Sequence, residues 1–139
     1  MFAMDHATAD DVTFWLDLDP ALPPEELARK IAVKSCYVIR DDEQPVGIMR
    51  YNMFWDVIPF VTLIFLREQF RGLGFGRKAM AQWEDEMREK RHKVALTSTQ
   101  SDERAQFFYR QIGYSDCGCL ILDTVPLRQS LEIFLIKVL

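Results

Sequence analysis

Residues 57–91 read Val57-Ile-Pro-Phe-Val-Thr-Leu-Ile-Phe-Leu66, Arg67-Glu-Gln-Phe70, Arg71-Gly72-Leu73-Gly74-Phe75-Gly76-Arg77-Lys78, and then Ala79 to Arg91. Val57 to Leu66 has the length and the Val, Ile and Phe content of a buried strand. From Gly74 to about Arg91 the period changes: Gly76, Met80, Trp83 and Met87 fall on one face of a helix. Between them lie Gly72, Gly74 and Gly76, three of the six glycines of the chain. Glycines at alternate positions let backbone N–H groups converge on one point, and the helix start adds unsatisfied donors and partial positive charge. The expected product is an anion cradle. Helix first turns ordinarily favour acids, yet Arg77 and Lys78 occupy this one and Arg71 precedes it, which is unfavourable unless an anion sits there.

The rest of the chain makes that inversion local. Its 139 residues carry 17 Lys plus Arg against 21 Asp plus Glu, a formal net charge of -4, which argues against nucleic acid or an anionic membrane as partner. Hydrophobic residues at 49% and aromatics at 12% supply the core of one domain spanning 1–139. The most apolar stretch is half the length of a membrane span. Three cysteines and no secretory leader fit a reducing, cytoplasmic compartment.

Outward from the glycine loop, the remaining elements follow from period and punctuation. Phe2–His6 reads as a short strand and Asp10–Leu18 as a helix closed by Asp19-Pro20. A second helix starts at Pro23-Pro24-Glu25-Glu26, with proline and acids where a helix start favours them. Cys36–Arg40 and Val46–Phe54 form a hairpin across the polar Asp41–Gln44 loop. Downstream come a short strand at Val94–Thr97 and a helix N-capped by Ser101 and stopped by Gly113 at C′. That helix carries an Ala105, Phe108, Tyr109, Ile112 stripe. Strands at about Cys117–Leu122 and Leu131–Val138 finish the chain. The fold class is α+β (mixed α/β): a central mixed, mostly antiparallel sheet flanked by about four helices.

Two alternative phosphate motifs fail on spacing. A dinucleotide fingerprint counted from Gly72 needs glycine where Arg77 stands, and neither Gly72 nor Gly74 starts a Walker A loop. The pattern present is R-x-x-G-x-G, Arg71-Gly72-Leu73-Gly74-Phe75-Gly76. It resembles the pyrophosphate-binding loop of the GNAT superfamily of acyl-CoA N-acyltransferases. Ala105-Gln-Phe-Phe108-Tyr109-Arg-Gln-Ile-Gly113-Tyr114 resembles the second motif of that family at the expected distance downstream, and the segment Thr97-Ser-Thr-Gln-Ser-Asp-Glu-Arg-Ala-Gln-Phe-Phe-Tyr109 is similar to a bacterial subgroup of unassigned acceptor. The element order follows the family over nearly the whole chain.

The resemblance implies acetyl transfer from acetyl-CoA to a primary amine by direct attack in a ternary complex, without a metal. It implies a pyrophosphate held by Arg71, Gly72, Leu73, Gly74, Phe75, Gly76 and Arg77, with Phe65 and Leu66 beside the pantetheine arm. Ala105, Phe108 and Tyr109 would shape the cofactor groove, and Tyr109 would protonate the leaving thiolate. Many family members place a Glu in the strand before the loop; here Ile58-Pro59-Phe60-Val61-Thr62-Leu63 carries no carboxylate. Asp56 is the first candidate for the base, with Asp17, Asp19 or a water chain as substitutes. The missing Glu keeps a second function class open, a catalytically inactive acyl-CoA-binding sensor or interaction module. The partners expected are acetyl-CoA and an amine acceptor, small molecule or protein amine; a homodimer is compatible with this reading.

Three further groups need weighing. Cys117-Gly118-Cys119 lacks the other ligands of a zinc site and reads as ordinary strand. The run Glu84-Asp85-Glu86 to Arg91 reads as the solvated face of the long helix, with pairs such as Glu84–Arg88. Trp15, Phe54 and Trp55 with Asp17, Asp19 and Asp56 fit either a cationic acceptor site or a core with its rim.

Overall fold

A parallel strand pair needs a long crossover, and the helix after the glycine loop supplies one. The computed structural model describes all 139 residues. In chain order they form β1 (Phe2–His6), a 3-10 turn (Ala9–Asp11), α1 (Val12–Leu18), α2 (Pro24–Ala32), β2 (Cys36–Asp41), β3 (Gln44–Phe54) and β4 (Ile58–Leu66). A second 3-10 turn (Glu68–Phe70), α3 (Phe75–Glu89), β5 (Val94–Gln100), α4 (Ala105–Gln111), β6 (Ser115–Leu120) and β7 (Glu132–Val138) follow. The seven strands make one sheet in the order β1-β2-β3-β4-β5-β7-β6. β4 and β5 run parallel, paired through Phe60↔Leu96 and Val61↔Thr97, while β5/β7, β6/β7, β1/β2 and β2/β3 are antiparallel. No helix is long and apolar enough to cross a membrane.

The chain divides into two compact units, 1–52 with 62–85 and 53–61 with 86–139. In the first, Trp15, Leu27, Cys36, Val38 and Ile48 form a buried cluster under α1 and α2. A second layer stacks His6 on Tyr37 at 4.7 Å and sets Tyr51 edge-on against Trp83 of α3 at 5.6 Å. In the second unit, Ala95, Thr97, Tyr109, Tyr114 and Leu135 are buried. Phe54, Phe60 and Phe134 gather there as well, with Phe54 and Phe60 stacked at 6.0 Å.

The fold class expected from the sequence is the one observed, and three local readings need correction. β5 runs on through Ser98, Thr99 and Gln100, which pair with Phe134, Ile133 and Glu132 despite their polar side chains. Ser101 N then donates to Leu131 O at 2.7 Å, so Ser101 prolongs the sheet and does not cap a helix. α4 begins at Ala105, and the Gln106 amide satisfies the Ser101 and Glu103 carbonyls at 2.9 Å each. Its other end is as expected: Gly113 takes φ 101°, Gly113 N donates to Arg110 O, and Tyr114 N donates to Tyr109 O. This is a Schellman stop, and it pins the backbone of Tyr109. Lastly, Glu84 is buried and does not stand on the solvated face of α3. It lies four residues after Met80 and three before Met87, and so shares their face.

Candidate active site

In the first unit the glycine loop grows out of the end of β4. Arg67 N donates to Val46 O at 2.9 Å, so β4 stays joined to β3 up to the turn. Arg71 folds back on the strand: Nε donates to Leu66 O at 2.9 Å and the guanidinium lies 5.0 Å over the Phe65 ring. Phe65 and Leu66 are thus anchored by the first residue of the motif. Gly72 and Gly74 adopt φ +73° and +89°, where a Cβ is strained, and nothing within 4 Å would meet one. Backbone conformation demands these glycines, and the space beside them is open.

Lys78 N donates to Gly74 O at 3.1 Å, which makes Gly74 the N-cap of α3. The first N–H groups of any helix have no partner within it, and here those belong to Phe75, Gly76 and Arg77. Phe75 is buried at the helix start between Phe70 and Phe2, with ring centroids 6.1 and 6.2 Å away. Leu73, Arg77 and Lys78 are exposed and Gly76 is half-buried. Fixed donors, a helix start and three cations in one short segment fit an anionic diphosphate.

Gly47 is a supporting residue that the sequence reading passed over. A Cβ there would come within 2.5 Å of Leu66 Cδ2 and 2.8 Å of the Phe65 carbonyl oxygen. The signal was an isolated glycine inside the Gln44–Phe54 strand pattern, which often marks close backbone approach.

The second unit carries Tyr109. Its side chain is buried with only 5% exposure, edge-on to Tyr114 at 5.9 Å. On the neighbouring strand, Thr97 Oγ1 donates to the Val61 carbonyl oxygen at 3.0 Å. Burial pushes the Tyr109 phenol above its ordinary value of 10, the Thr97 hydroxyl opposes this in part, and Glu103 adds to the rise. The phenol therefore keeps its proton at neutral pH. Ala105 and Phe108 flank it half-buried, and Arg110 ties α4 to Asp116 through two bonds of 2.9 Å. An open groove of about 500 Å3 also lies in this unit, lined by Trp55, Leu96, Leu120 and Phe134 among others. Leu96 and Thr97 are consecutive on a strand and point to opposite faces, so Thr97 does not line that groove, and neither does Tyr109.

The carboxylates separate clearly. Asp19 is buried and accepts from Trp15 Nε1 at 3.2 Å and Arg50 Nε at 2.9 Å. Asp17 pairs with Arg67 at 3.2 Å. Trp15 and Asp19 thus belong to the core and not to an acceptor pocket. Asp56 sits exposed at the tip of the β3–β4 hairpin, where Trp55 and Asp56 take φ 53° and 66° and Val57 N donates to Phe54 O. Ile58 opens β4 and Val61 lies three residues further on, about 10 Å along an extended strand. Asp56 therefore stands in the turn that precedes β4, and Val61 lies well inside the strand. Cys117 and Cys119 are free, exposed strand residues.

The comparisons agree with this architecture. The model of the Acetyltransferase (GNAT) family matches residues 3–114. No curated protein matches the sequence. Among solved structures, Ard1 from Thermoplasma volcanium superimposes with a TM-score of 0.86 at 14% identity, covering 99% of this chain and 97% of that one. Ribosomal-protein-alanine N-acetyltransferase from Brucella melitensis gives 0.83 at 20% identity, covering 99% of each chain. A GNAT family acetyltransferase from Elizabethkingia anophelis with acetyl-CoA bound gives 0.77 at 17% identity over 99% and 98%. At these identities the likeness speaks for the fold, and the family model, spanning both the glycine loop and the Tyr109 helix, supplies the membership. The chain belongs to the GNAT family of acetyltransferases.

Proposed function

We propose that the protein is an N-acetyltransferase that moves an acetyl group from acetyl-CoA to a primary amine by direct attack in a ternary complex. The observation that carries this reading is the loop Arg71–Gly76: two positive-φ glycines at the N-cap of α3, with open space beside them, in a chain of family membership. Acetyl-CoA supplies, when bound, an activated thioester and a thiolate leaving group. The N–H groups of Gly72 to Arg77 hold the diphosphate, helped by the cations of the same segment. Phe65 and Leu66, anchored by Arg71, line the pantetheine arm. Ala105 and Phe108 shape the groove around Tyr109. Tyr109 gives its proton to the sulfur as the C–S bond breaks and the C–N bond forms.

The amine must lose a proton, and the buried Asp19–Arg50 and the Asp17–Arg67 pairs leave no ready carboxylate for it. Water is then the acceptor, so turnover rises with pH toward the pKa of the amine itself. The acceptor is a primary amine, on a small molecule or on a protein. Naa50 from Arabidopsis thaliana, similar in fold with a TM-score of 0.79 at 14% identity, is described with a bisubstrate analogue CoA-Ac-MVNAL, which makes peptide N-termini a sensible first panel. Incubation with acetyl-CoA and a panel of amines and peptides, read by product mass, tests the reading. Acetylated product supports it, and acetyl-CoA binding with no product on any amine favours the inactive module instead.

A further inference from the structure

An exposed tryptophan occupies a backbone position that suits it badly. Trp55 and Asp56 are the central residues of the turn that joins β3 to β4, with φ 53° and 66°, and Val57 N donates to Phe54 O at 3.2 Å. Such turns favour glycine or asparagine, and a bulky residue in the left-handed region is strained. Burial does not offset that strain, because Trp55 is 77% exposed whereas Trp15 and Trp83 are fully buried. Trp55 instead forms one wall of the open groove of about 500 Å3, its ring 4.8 Å from that of Phe54. Ile58, Leu96, Phe134 and Ile136 line the rest together with β6, and no charged side chain is among them. A strained residue kept over an apolar groove of ligand size points to a function for its side chain.

The groove lies on the face of the sheet that α4 leaves open. Leu96 pairs with Ile136, and both line the groove. The next residue of β7, Lys137, points to the other face, and its Nζ donates to the Ile112 carbonyl at the end of α4 at 2.8 Å. Tyr109 is thus carried on one face of β5 and β7 and the groove on the other. The amine and the departing sulfur share one carbon and reach it from different sides, so an acid on one face leaves the other to the amine. Resting on the reading of the protein as an N-acetyltransferase, we infer that the groove receives the apolar group borne by the acceptor amine and that Trp55 determines this specificity. The acceptor class is a primary amine on an uncharged aromatic or aliphatic group, either a small arylalkylamine or a peptide that begins with an apolar residue. A second cation on the acceptor would meet no carboxylate in the lining. A second copy of the chain is a poorer occupant, since the register shift between Asp116 and Gly118 disturbs the β6 edge that regular pairing would need.

Acetyl transfer to 2-phenylethylamine against 1,4-diaminobutane, and to the peptide Phe-Ala-Ala-Ala against Asp-Ala-Ala-Ala, measures the preference and separates small amine from peptide. Wild type should favour the aromatic member of at least one pair by about tenfold or more in kcat/KM. Trp55→Asn gives the turn a residue that it favours and removes the wall. Its thermal midpoint should rise, kcat/KM for the preferred acceptor should fall by about ten- to a hundredfold, and the KM for acetyl-CoA should stay constant. Trp55→Phe should keep most of the preference. A tryptophan of purely structural value predicts the reverse for Trp55→Asn, a lower midpoint and an unchanged preference. A readout free of activity is acrylamide quenching of tryptophan fluorescence, because Trp55 is the exposed one of the three tryptophans. In the presence of CoA, the preferred aromatic acceptor should shield Trp55 and 1,4-diaminobutane should not. Preference for the dication, unchanged discrimination in Trp55→Asn or an unshielded Trp55 would overturn the inference. So would a dimer in sedimentation whose Trp55 is shielded without any amine, which would give the groove to a second copy. If no amine is acetylated the transferase reading fails, while the quenching still decides what the groove binds.

Discussion

Gly47 of β3 and Leu66 of β4 meet so closely that a Cβ on the glycine would stand 2.5 Å from Leu66 Cδ2 and 2.8 Å from the Phe65 carbonyl oxygen. The second distance matters more, because a backbone oxygen cannot rotate away. The end of β4, from which the glycine loop departs, is therefore seated on a strand that has no side chain at this point. Gly47→Ala should destabilise the fold by about 1–3 kcal/mol, the usual cost of overpacking. It should also weaken acetyl-CoA binding by shifting Phe65 and Leu66. Urea denaturation and calorimetric titration read the two effects, and an Ala variant of wild-type stability would contradict the close seating.

Gly74 behaves differently, since its φ of +89° is demanding while its surroundings are empty. Gly74→Ala should cost about 1–2 kcal/mol from the left-handed backbone alone. Gly74→Val should fold less stably still and lose acetyl-CoA binding, because the side chain enters the space left for the diphosphate. Wild-type binding should weaken with added salt, given a polyanionic ligand facing Arg71, Arg77 and Lys78. Full affinity in a folded Gly74→Val protein would move the cofactor elsewhere.

Asp56 occupies the second central position of a tight hairpin turn, with φ 66°. Both central residues of such a turn favour glycine or asparagine. Asp56→Gly should therefore raise stability by about 1 kcal/mol and leave turnover unchanged. A marked fall in turnover, with the fold intact, would make Asp56 the base.

Cys36 gives the alkaline behaviour. Burial pushes its thiol from 9.0 up to about 11, and the side chain is fully shielded from solvent. Below pH 9 both folded and unfolded chains hold the neutral thiol, so this contribution is intact there. As pH rises the unfolded chain ionises first, and stability is lost progressively until the folded thiol also ionises near 11. The loss should amount to about 2–3 kcal/mol at most. Tyr109, raised by burial, adds in the same direction above its ordinary range. Denaturation curves across pH 8–11 should show the decline flattened in Cys36→Ala, whose baseline stability is lower. An equally steep decline in that variant would assign it to other groups.

Helix α3 and its glycine loop were legible because a 3.6-residue stripe and a change of period leave their mark along the chain. The end of α4 was legible from Gly113, which takes the left-handed stop expected of it. The start of α4 was not: Ser101-Asp102-Glu103 has the composition of a helix cap, but a ladder bond to Leu131, thirty residues away, claims Ser101 for the sheet. Glu84 was misread because charge was weighed above phase, although its offset from Met80 and Met87 puts it inside. Thr97 looked like an ordinary strand residue. No local pattern encodes the bond its hydroxyl makes to the carbonyl of residue 61. The same holds for Asp17 and Asp19, whose arginine partners come from β3 and the residue after β4.

The most direct measurement is steady-state acetyl transfer by wild type and Tyr109→Phe, with the acetylated amine quantified by mass. Product mass is the safer readout because Cys117 and Cys119 are exposed and would react in a thiol assay. The account predicts acetyl-CoA-dependent product with wild type. In Tyr109→Phe, turnover should fall by about 10²–10⁴ while the KM for acetyl-CoA stays constant. Equal turnover in the two proteins would contradict the acid role of Tyr109, and binding of acetyl-CoA without any acetylated amine would contradict the enzyme itself.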